Sequence, residues 1–323
     1  MRESLNRVKN AVAKKDIVPQ LTHYTVKNGY VYASDGILTA ASPIKCKTDF
    51  SVKAAEFQKF LDKTPGEIKI QIQENHFVKV SCGRFRAMVP GSDPSTVNFN
   101  LPKGEKVKLT PAFIERIADV RPFISDNATQ PWAADAHLRN GCILATNNVV
   151  LVRAEGSGIP KQVELSIGYE IVDEILRHPE ELQYLVYNEN QVAFTWKDGS
   201  WMSCQRRVGK MPNTDPIFTL WQETPKVDPE WCESVLHLMD ITEGGLTFTH
   251  DEMSGRTAKE SGAIISSEFR STLPDNRESV MFEVKFLEPV LKHATHFGFF
   301  IAGGPRAAFK TKYSIGIAAG MGK

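Results

Sequence analysis

Residues 52–89 read VKAAEFQKFLDKTPGEIKIQIQENHFVKVSCGRFRAMV. Phe57, Phe60 and Leu61 form an apolar stripe at helical spacing, with Lys53, Lys59 and Lys63 around it, so 52–63 is predicted as a helix. Ile68, Ile70 and Ile72 then alternate with Lys69 and Gln71. Phe77-Val78-Lys79-Val80 returns after the Glu74-Asn75 turn, which predicts a hairpin within 67–89. The same order lies on either side. Residues 2–15 read as helix and 21–44 as strands, which completes a first copy. A second copy reads 110–124, 134–154, 167–178 and 183–208, and a third 229–240, 246–269, 283–294 and 297–317. A repeat of roughly 100 residues is too long for a solenoid unit and right for a compact domain.

The remaining helices rest on the same spacing. Leu5, Val8 and Val12 mark the first, and Phe113, Ile117 and Val120 the third, flanked by Arg116 and Arg121. Thr110-Pro111 opens that third helix as a cap followed by proline at the first helical position. Ile171, Ile175 and Leu176 mark the fourth, Val235, Leu238 and Met239 the fifth, and Phe286, Leu287, Val290 and Leu291 the sixth. Pro289 lies inside the sixth stripe, which predicts a kink or a later start. Tyr184–Tyr187 and Val192–Trp196 pair about an Asn188-Glu189-Asn190 turn, and Asp198-Gly199 leads into Trp201–Cys204. Proline-, glycine- and polar-rich linkers at 90–103 and 211–226 divide the chain into domains 1–103, 104–222 and 223–323. The fold class is α+β, with three tandem similar domains.

Composition sets bounds on function. The chain has 323 residues, 41% of them hydrophobic and 24% charged, with a net charge of +1. No global basic excess points to nucleic acid, although a local patch is compatible with that sum. Cys46, Cys82, Cys142, Cys204 and Cys232 are widely spaced and form no C-x-x-C, which reads as reduced thiols in a cytoplasmic protein. Arg2, Glu3 and Arg7 precede no apolar core, so no signal peptide is expected, and no stretch predicts a membrane span. His293 and His296 are spaced as a metal pair, but no further ligand completes a site, so no metal or cofactor is expected. No phosphate-binding loop and no nucleophile elbow is present, so the chain reads as a scaffold rather than an enzyme.

Several stretches together resemble the bacterial sliding clamp, the β subunit of DNA polymerase III, in a phage-type form. They are Phe50–Leu61 with Pro65-Gly66 and Cys82–Arg86, then Leu144-Ala-Thr-Asn-Asn-Val-Val-Leu151, Gly209-Lys210-Met211-Pro212-Asn213, and Met281–Leu287. The resemblance runs in order over nearly the whole chain and is weakest between 240 and 280. It implies a head-to-tail homodimer that closes a ring of six domains, with antiparallel sheets outside and helices lining the hole. Such a ring encircles duplex DNA without reading its sequence, and tethers a replicative polymerase with no catalysis of its own. A clamp loader is a further implied partner. The alternatives are a clamp-fold adaptor for transcription or other DNA metabolism, and an enzyme on a repeated scaffold; the missing acid, base or metal set argues against the enzyme.

The resemblance also assigns residues. Lys14 and Lys15 occupy the segment after the first helix where the family contacts DNA. A family arginine falls near Ala55, so Lys53 and Lys59 stand as substitutes, with Arg7 and Arg121 as further basic helix residues. Acids such as Glu3, Glu56 and Asp173 are interleaved with them, so charge alone does not decide. The loop from Asn127 to Trp132 matches a family DNA-contact loop, in which Trp132 either stacks on a template base or packs against the loop. A partner-peptide pocket between the second and third domains is implied, lined by Ala133, Thr146, Asn148, Leu151, Pro212, Ile217, Ile317 and Met321. The family's Asp-Gly-His-Arg turn is replaced by Asn147-Asn148-Val149-Val150, and its C-terminal motif by Ala319-Gly320-Met321-Gly322-Lys323, so an altered peptide preference is expected.

Overall fold

The computed structural model describes residues 1–15, 17–207, 211–256, 264–268, 273 and 278–321. Gly209, Lys210, Gly322, Lys323 and part of the expected strands in 246–269 lie outside the described residues. The chain forms two compact units, Met1–Leu109 with Arg177–Arg206, and Thr110–Leu176 with Arg207–Lys323.

The chain opens with α1 (Arg2–Val8), β1 (His23–Lys27), β2 (Tyr30–Ser34), β3 (Leu38–Pro43), β4 (Phe50–Lys53), α2 (Ala54–Lys63), β5 (Lys69–Ile72), β6 (Val78–Cys82), β7 (Phe85–Val89), β8 (Gly91–Ser92) and β9 (Glu105–Lys108). The first helix is shorter than the expected 2–15. Leu5 and Val8 are buried, a 3-10 turn over Lys9–Ala11 buries Ala11, and Val12 is already extended. The Arg2 guanidinium donates to the carbonyls of Leu61 and Thr64, which satisfies acceptors left over at the end of α2. Ala54, Phe57 and Leu61 give α2 its buried face.

The middle of the chain forms α3 (Pro111–Val120), β10 (Asp135–Arg139), β11 (Cys142–Thr146), β12 (Val150–Ala154), β13 (Leu165–Gly168), α4 (Tyr169–Arg177), β14 (Leu182–Tyr187), β15 (Gln191–Trp196) and β16 (Trp201–Gln205). Phe113, Ile117 and Val120 bury the α3 stripe. Pro111 does occupy the first helical position, but the Thr110 side chain accepts no capping bond. Its carbonyl instead receives the Phe113 amide at 2.9 Å. The chain finishes with α5 (Asp215–Phe218), α6 (Pro229–Ile241), β17 (Glu243–Phe248), β18 (Glu252–Arg256), β19 (Ile264–Glu268), β20 (Val280–Glu283), α7 (Val284–His293), β21 (His296–Ile301), β22 (Pro305–Lys310) and β23 (Ser314–Ala319). Asp228 caps α6 by accepting from the Glu230 amide at 3.0 Å. α7 starts where its stripe does and continues through Pro289, so its helical identity survives one missing amide donor.

In the first unit nine strands form one antiparallel sheet, in the order β8-β4-β1-β2-β3-β16-β15-β14-β9, and β5-β6-β7 form a second. The joining ladder is β3 to β16, with Trp201 opposite Ala41 and Cys204 opposite Leu38. In the second unit the orders are β13-β10-β11-β12-β23-β22-β21 and β19-β18-β17-β20. There the join is β12 to β23. These two ladders tie strands of neighbouring sequence copies together, so the compact units cut across the expected boundaries at 103/104 and 222/223. The order helix, strands, helix, strands nevertheless occurs three times along the chain.

Aromatic rings fill the cores. Tyr24 and Phe50 meet Phe57 edge-on in the first unit, at 6.5 and 6.3 Å. In the second unit Phe123 lies 5.6 Å from Phe309, and Phe248 4.9 Å from Phe299. Full burial of such a side chain stabilises by about 1.5–3 kcal/mol relative to exposure.

Candidate functional site

The second unit carries a groove built on the β12–β23 join. Leu151 stands opposite Ile317 in that ladder. Leu151 packs with Leu144 and Phe218, and Ile317 with Ala308 and Phe300. Leu151 and Ile317 are buried in these clusters and line the floor of a cavity of about 360 Å³.

The turn between β11 and β12 forms one wall. Asn147 Oδ1 accepts from the amides of Val149 at 3.1 Å and Val150 at 2.7 Å. Asn148 follows with φ 73°, a left-handed conformation that asparagine tolerates better than most residues. Thr146 Oγ1 accepts from the Asn148 amide at 3.0 Å and donates to the Val150 carbonyl at 2.8 Å. Trp132, from the 3-10 turn Pro131–Ala134, donates its indole Nε1–H to Asn148 Oδ1 at 3.1 Å. Beneath it, His137 Nε2 donates to the Trp132 carbonyl at 2.8 Å, and Nδ1 meets Ser166 Oγ at 2.9 Å. A carbonyl only accepts, so the ring carries its proton on Nε2. Burial lowers the His137 pKa, which keeps the ring neutral.

The segment 211–220 forms a second wall. Asn213 Oδ1 accepts from the Asp215 amide at 3.1 Å where α5 begins. Phe218 anchors α5 inward, and the Arg153 guanidinium lies 4.5 Å from its ring. Ile217 and Leu220 stay 41% and 40% exposed, so the rim is apolar as well as the floor. Arg306 is the one charged residue among the described residues that line the cavity. It stands opposite Ala319 in the β22–β23 ladder, two residues along from the row of Ile317 and Ala308. This arrangement suits an extended segment with apolar anchors.

No protein-family model matches the chain, and no curated protein matches it in sequence. Solved structures match it closely in shape. The β subunit of DNA polymerase from Streptococcus pyogenes covers 99% of this chain and 97% of its own, at 15% identity and a TM-score of 0.80. The Caulobacter crescentus β sliding clamp matches at 13% identity and a TM-score of 0.81, over 99% of this chain and 96% of its own. The Helicobacter pylori β clamp, solved bound to a DNA ligase peptide, matches at 12% identity and 0.76, over 99% and 97%. The fold is that of the bacterial DNA polymerase sliding clamp.

Within that sliding-clamp fold, six of the eight residues expected in a partner pocket line this groove together: Thr146, Asn148, Leu151, Pro212, Ile217 and Ile317. Ala133 does not, because it is the fully buried residue of the 3-10 turn Pro131–Ala134. Met321 does not either. Its amide donates to the Met281 carbonyl at 2.7 Å, which places it against β20 instead. Trp132, assigned to a DNA loop from sequence, lines the groove and is held by Asn148. Met211, Leu220 and Arg306 are among the lining residues that sequence reasoning missed. Arg306 was legible in principle, since it alternates with Ala308 on the face that Ile317 shares.

The expected DNA-contact residues separate by type. Lys14, Lys15, Lys59 and Asn127 are exposed, and Lys53 is half-buried with Glu56 at 3.9 Å. The two arginines are not free cations. Arg7 is mostly buried and pairs with Glu3 at 2.9 Å, Glu180 at 3.2 Å and Asp198. Arg121 pairs with Asp173 and with Asp126 at 2.9 Å, and the bonded Asp173 holds its pKa above the ordinary value. His293 and His296 are occupied by packing, His293 edge-on to Phe123 at 6.4 Å and His296 beside Thr295 Oγ1 at 3.0 Å. Among the described residues no group of three His, Cys, Asp or Glu could hold a metal, and no helix is long and apolar enough to cross a membrane.

Proposed function

We propose that this protein is a non-catalytic DNA sliding clamp acting in the cytoplasm. Its three clamp domains, 1–103, 104–222 and 223–323, supply half of a six-domain ring. Two copies join head to tail, the ring encircles duplex DNA, and a clamp loader places it there. The replicative polymerase docks through an extended peptide laid in the groove over Leu151 and Ile317. The observation that carries this reading is a clamp-fold likeness over 99% of the chain at a TM-score of 0.80.

Two other features support it. Lys14, Lys15 and Lys59 are exposed cations, suited to weak phosphate contacts that hold without fixing register. Among the described residues β7 ends the β5-β6-β7 sheet and β19 ends the β19-β18-β17-β20 sheet, and ring closure through these two strands pairs both edges. The test is retention on DNA. The protein, loaded with its host's replication extract, is expected to stay on nicked circular plasmid through a high-salt column and to run off after linearisation. Equal loss from both forms refutes encirclement.

A further inference from the structure

The groove contains one feature that an apolar peptide site does not need. Arg306 lines it, and among the described residues it has no ion-pair partner and no charged neighbour in the lining. Its one hydrogen bond runs from Nη1 to the carbonyl of Pro305 at 3.1 Å, which leaves most of its donors unused. Its neighbours across the strands are Phe300 and Ala319, neither of which offers a carboxylate. A cation held on an apolar floor gains from an anion supplied by whatever covers that floor, because the covering segment removes water from it.

The register fixes where that anion must be. Arg306 and Ala319 form one row of the β22–β23 ladder, and Ala308 and Ile317 form the row two residues away on the same face. Two residues of a strand span about 6.6–6.8 Å. An extended peptide with an apolar side chain over Leu151 and Ile317 therefore brings a residue one or two positions away within reach of the guanidinium.

We propose that the groove selects a peptide in which an aspartate or glutamate side chain lies within two residues of the apolar anchor and pairs with Arg306. Arg306 is then a specificity-determining residue of the site. The inference rests on the peptide-groove reading given above, and its test separates the two.

The probes are three fluorescein-labelled octapeptides with adjacent leucine and phenylalanine anchors. One is amidated with an aspartate two residues before the leucine, the second has asparagine there, and the third is the asparagine peptide with a free C-terminal carboxylate. Fluorescence anisotropy is read on the full-length protein, on Arg306→Gln and on Leu151→Asp, with urea unfolding as the folding control. The aspartate peptide is expected to bind the unaltered protein about tenfold more tightly than the asparagine peptide, the scale of one charge-assisted hydrogen bond. Arg306→Gln is expected to bring the two within twofold by weakening only the aspartate peptide. Leu151→Asp is expected to abolish binding of both. Equal binding of the aspartate and asparagine peptides, with Leu151→Asp still inactive, overturns the Arg306 assignment and leaves the groove intact. A preference carried by the free carboxylate instead means that a chain end occupies the site, and also overturns it. Binding of none of the peptides, or binding that Leu151→Asp does not change, removes the groove reading and this inference with it.

Discussion

Trp132 and Asn148 meet through a single hydrogen bond, indole Nε1–H to Oδ1 at 3.1 Å, and that bond joins the turn before β10 to the turn before β12. The asparagine therefore does two things at once. It accepts the left-handed backbone at φ 73°, and it holds the aromatic wall of the groove. Asn148→Ala is expected to lose about 1–2 kcal/mol from the backbone conformation alone. Asn148→Gly removes the same hydrogen bond but accepts positive φ, so its loss is expected to be clearly smaller. Urea unfolding of the two variants checks the order. Equal losses would show that the indole bond, and not the backbone, sets the cost.

The exposed lysines and the buried arginine predict opposite phenotypes. Lys14→Ala with Lys15→Ala is expected to leave the unfolding midpoint unchanged. It should lower the log–log salt slope of duplex binding by about 1.8, the value for two phosphate contacts. Arg7→Ala leaves Glu3, Glu180 and Asp198 without their shared cation. Because those acids keep 77%, 40% and 20% of their side-chain exposure, that variant is expected to lose about 1–2 kcal/mol of stability while its salt slope stays as it was. An altered slope in Arg7→Ala with normal stability would reverse the assignment.

Two titratable groups, one in each unit, contribute to acid stability in opposite directions. His178 stacks on Trp196 at 4.2 Å in the first unit, and burial together with the Arg7 charge pushes its pKa down to about 4. Between about pH 6.5 and 4 the unfolded chain binds that proton and the folded chain does not, so stability falls as pH drops through this window. In the second unit, burial pushes Asp135 up to about 6, against the opposing pull of Arg207 at 2.6 Å. Between about pH 6 and 3.9 the folded chain holds the proton and the unfolded chain does not, so this contribution grows as pH drops. His178→Phe is expected to shrink the loss of stability between pH 7.5 and pH 4.5, and Asp135→Asn, by removing a gain over the same interval, to enlarge it. Unfolding in urea at pH 7.5 and 4.5 reads both, and a shared direction for the two variants would contradict the scheme.

Much of this was legible in residue spacing. Phe57 with Leu61, Phe113 with Ile117, and Leu287 with Leu291 marked helices that bury those side chains. The alternation through Ile70 and Val80 marked a real hairpin. Spacing failed where partners are distant in the chain. Nothing near Leu38 shows that it pairs with Cys204, since a ladder between distant strands leaves no local period. Arg7 looked like a surface cation because its acids lie as far away as Glu180 and Asp198. Met321 looked like pocket lining because its bridge to Met281 is formed across a gap of forty residues.

The proposed ring depends on β7. Among the described residues that strand is a free edge of its three-stranded sheet, and its Phe85 and Met88 are 61% and 53% exposed. A bare edge with large apolar side chains is a site for pairing with another chain. In the proposed assembly the partner strand is β19, which ends the four-stranded sheet of the second unit. Phe85→Asp with Met88→Lys adds opposite charges without touching the β6–β7 ladder, so each chain should stay folded. Light scattering is expected to give the mass of a dimer, twice 36.1 kDa, for the unaltered protein and of one chain for the double variant at micromolar concentration. The double variant should also lose retention on circular DNA while still binding the aspartate octapeptide, because the groove lies wholly within the second unit. A double variant that remains dimeric would place the subunit contact elsewhere. An unaltered protein with the mass of three chains would exclude the six-domain ring.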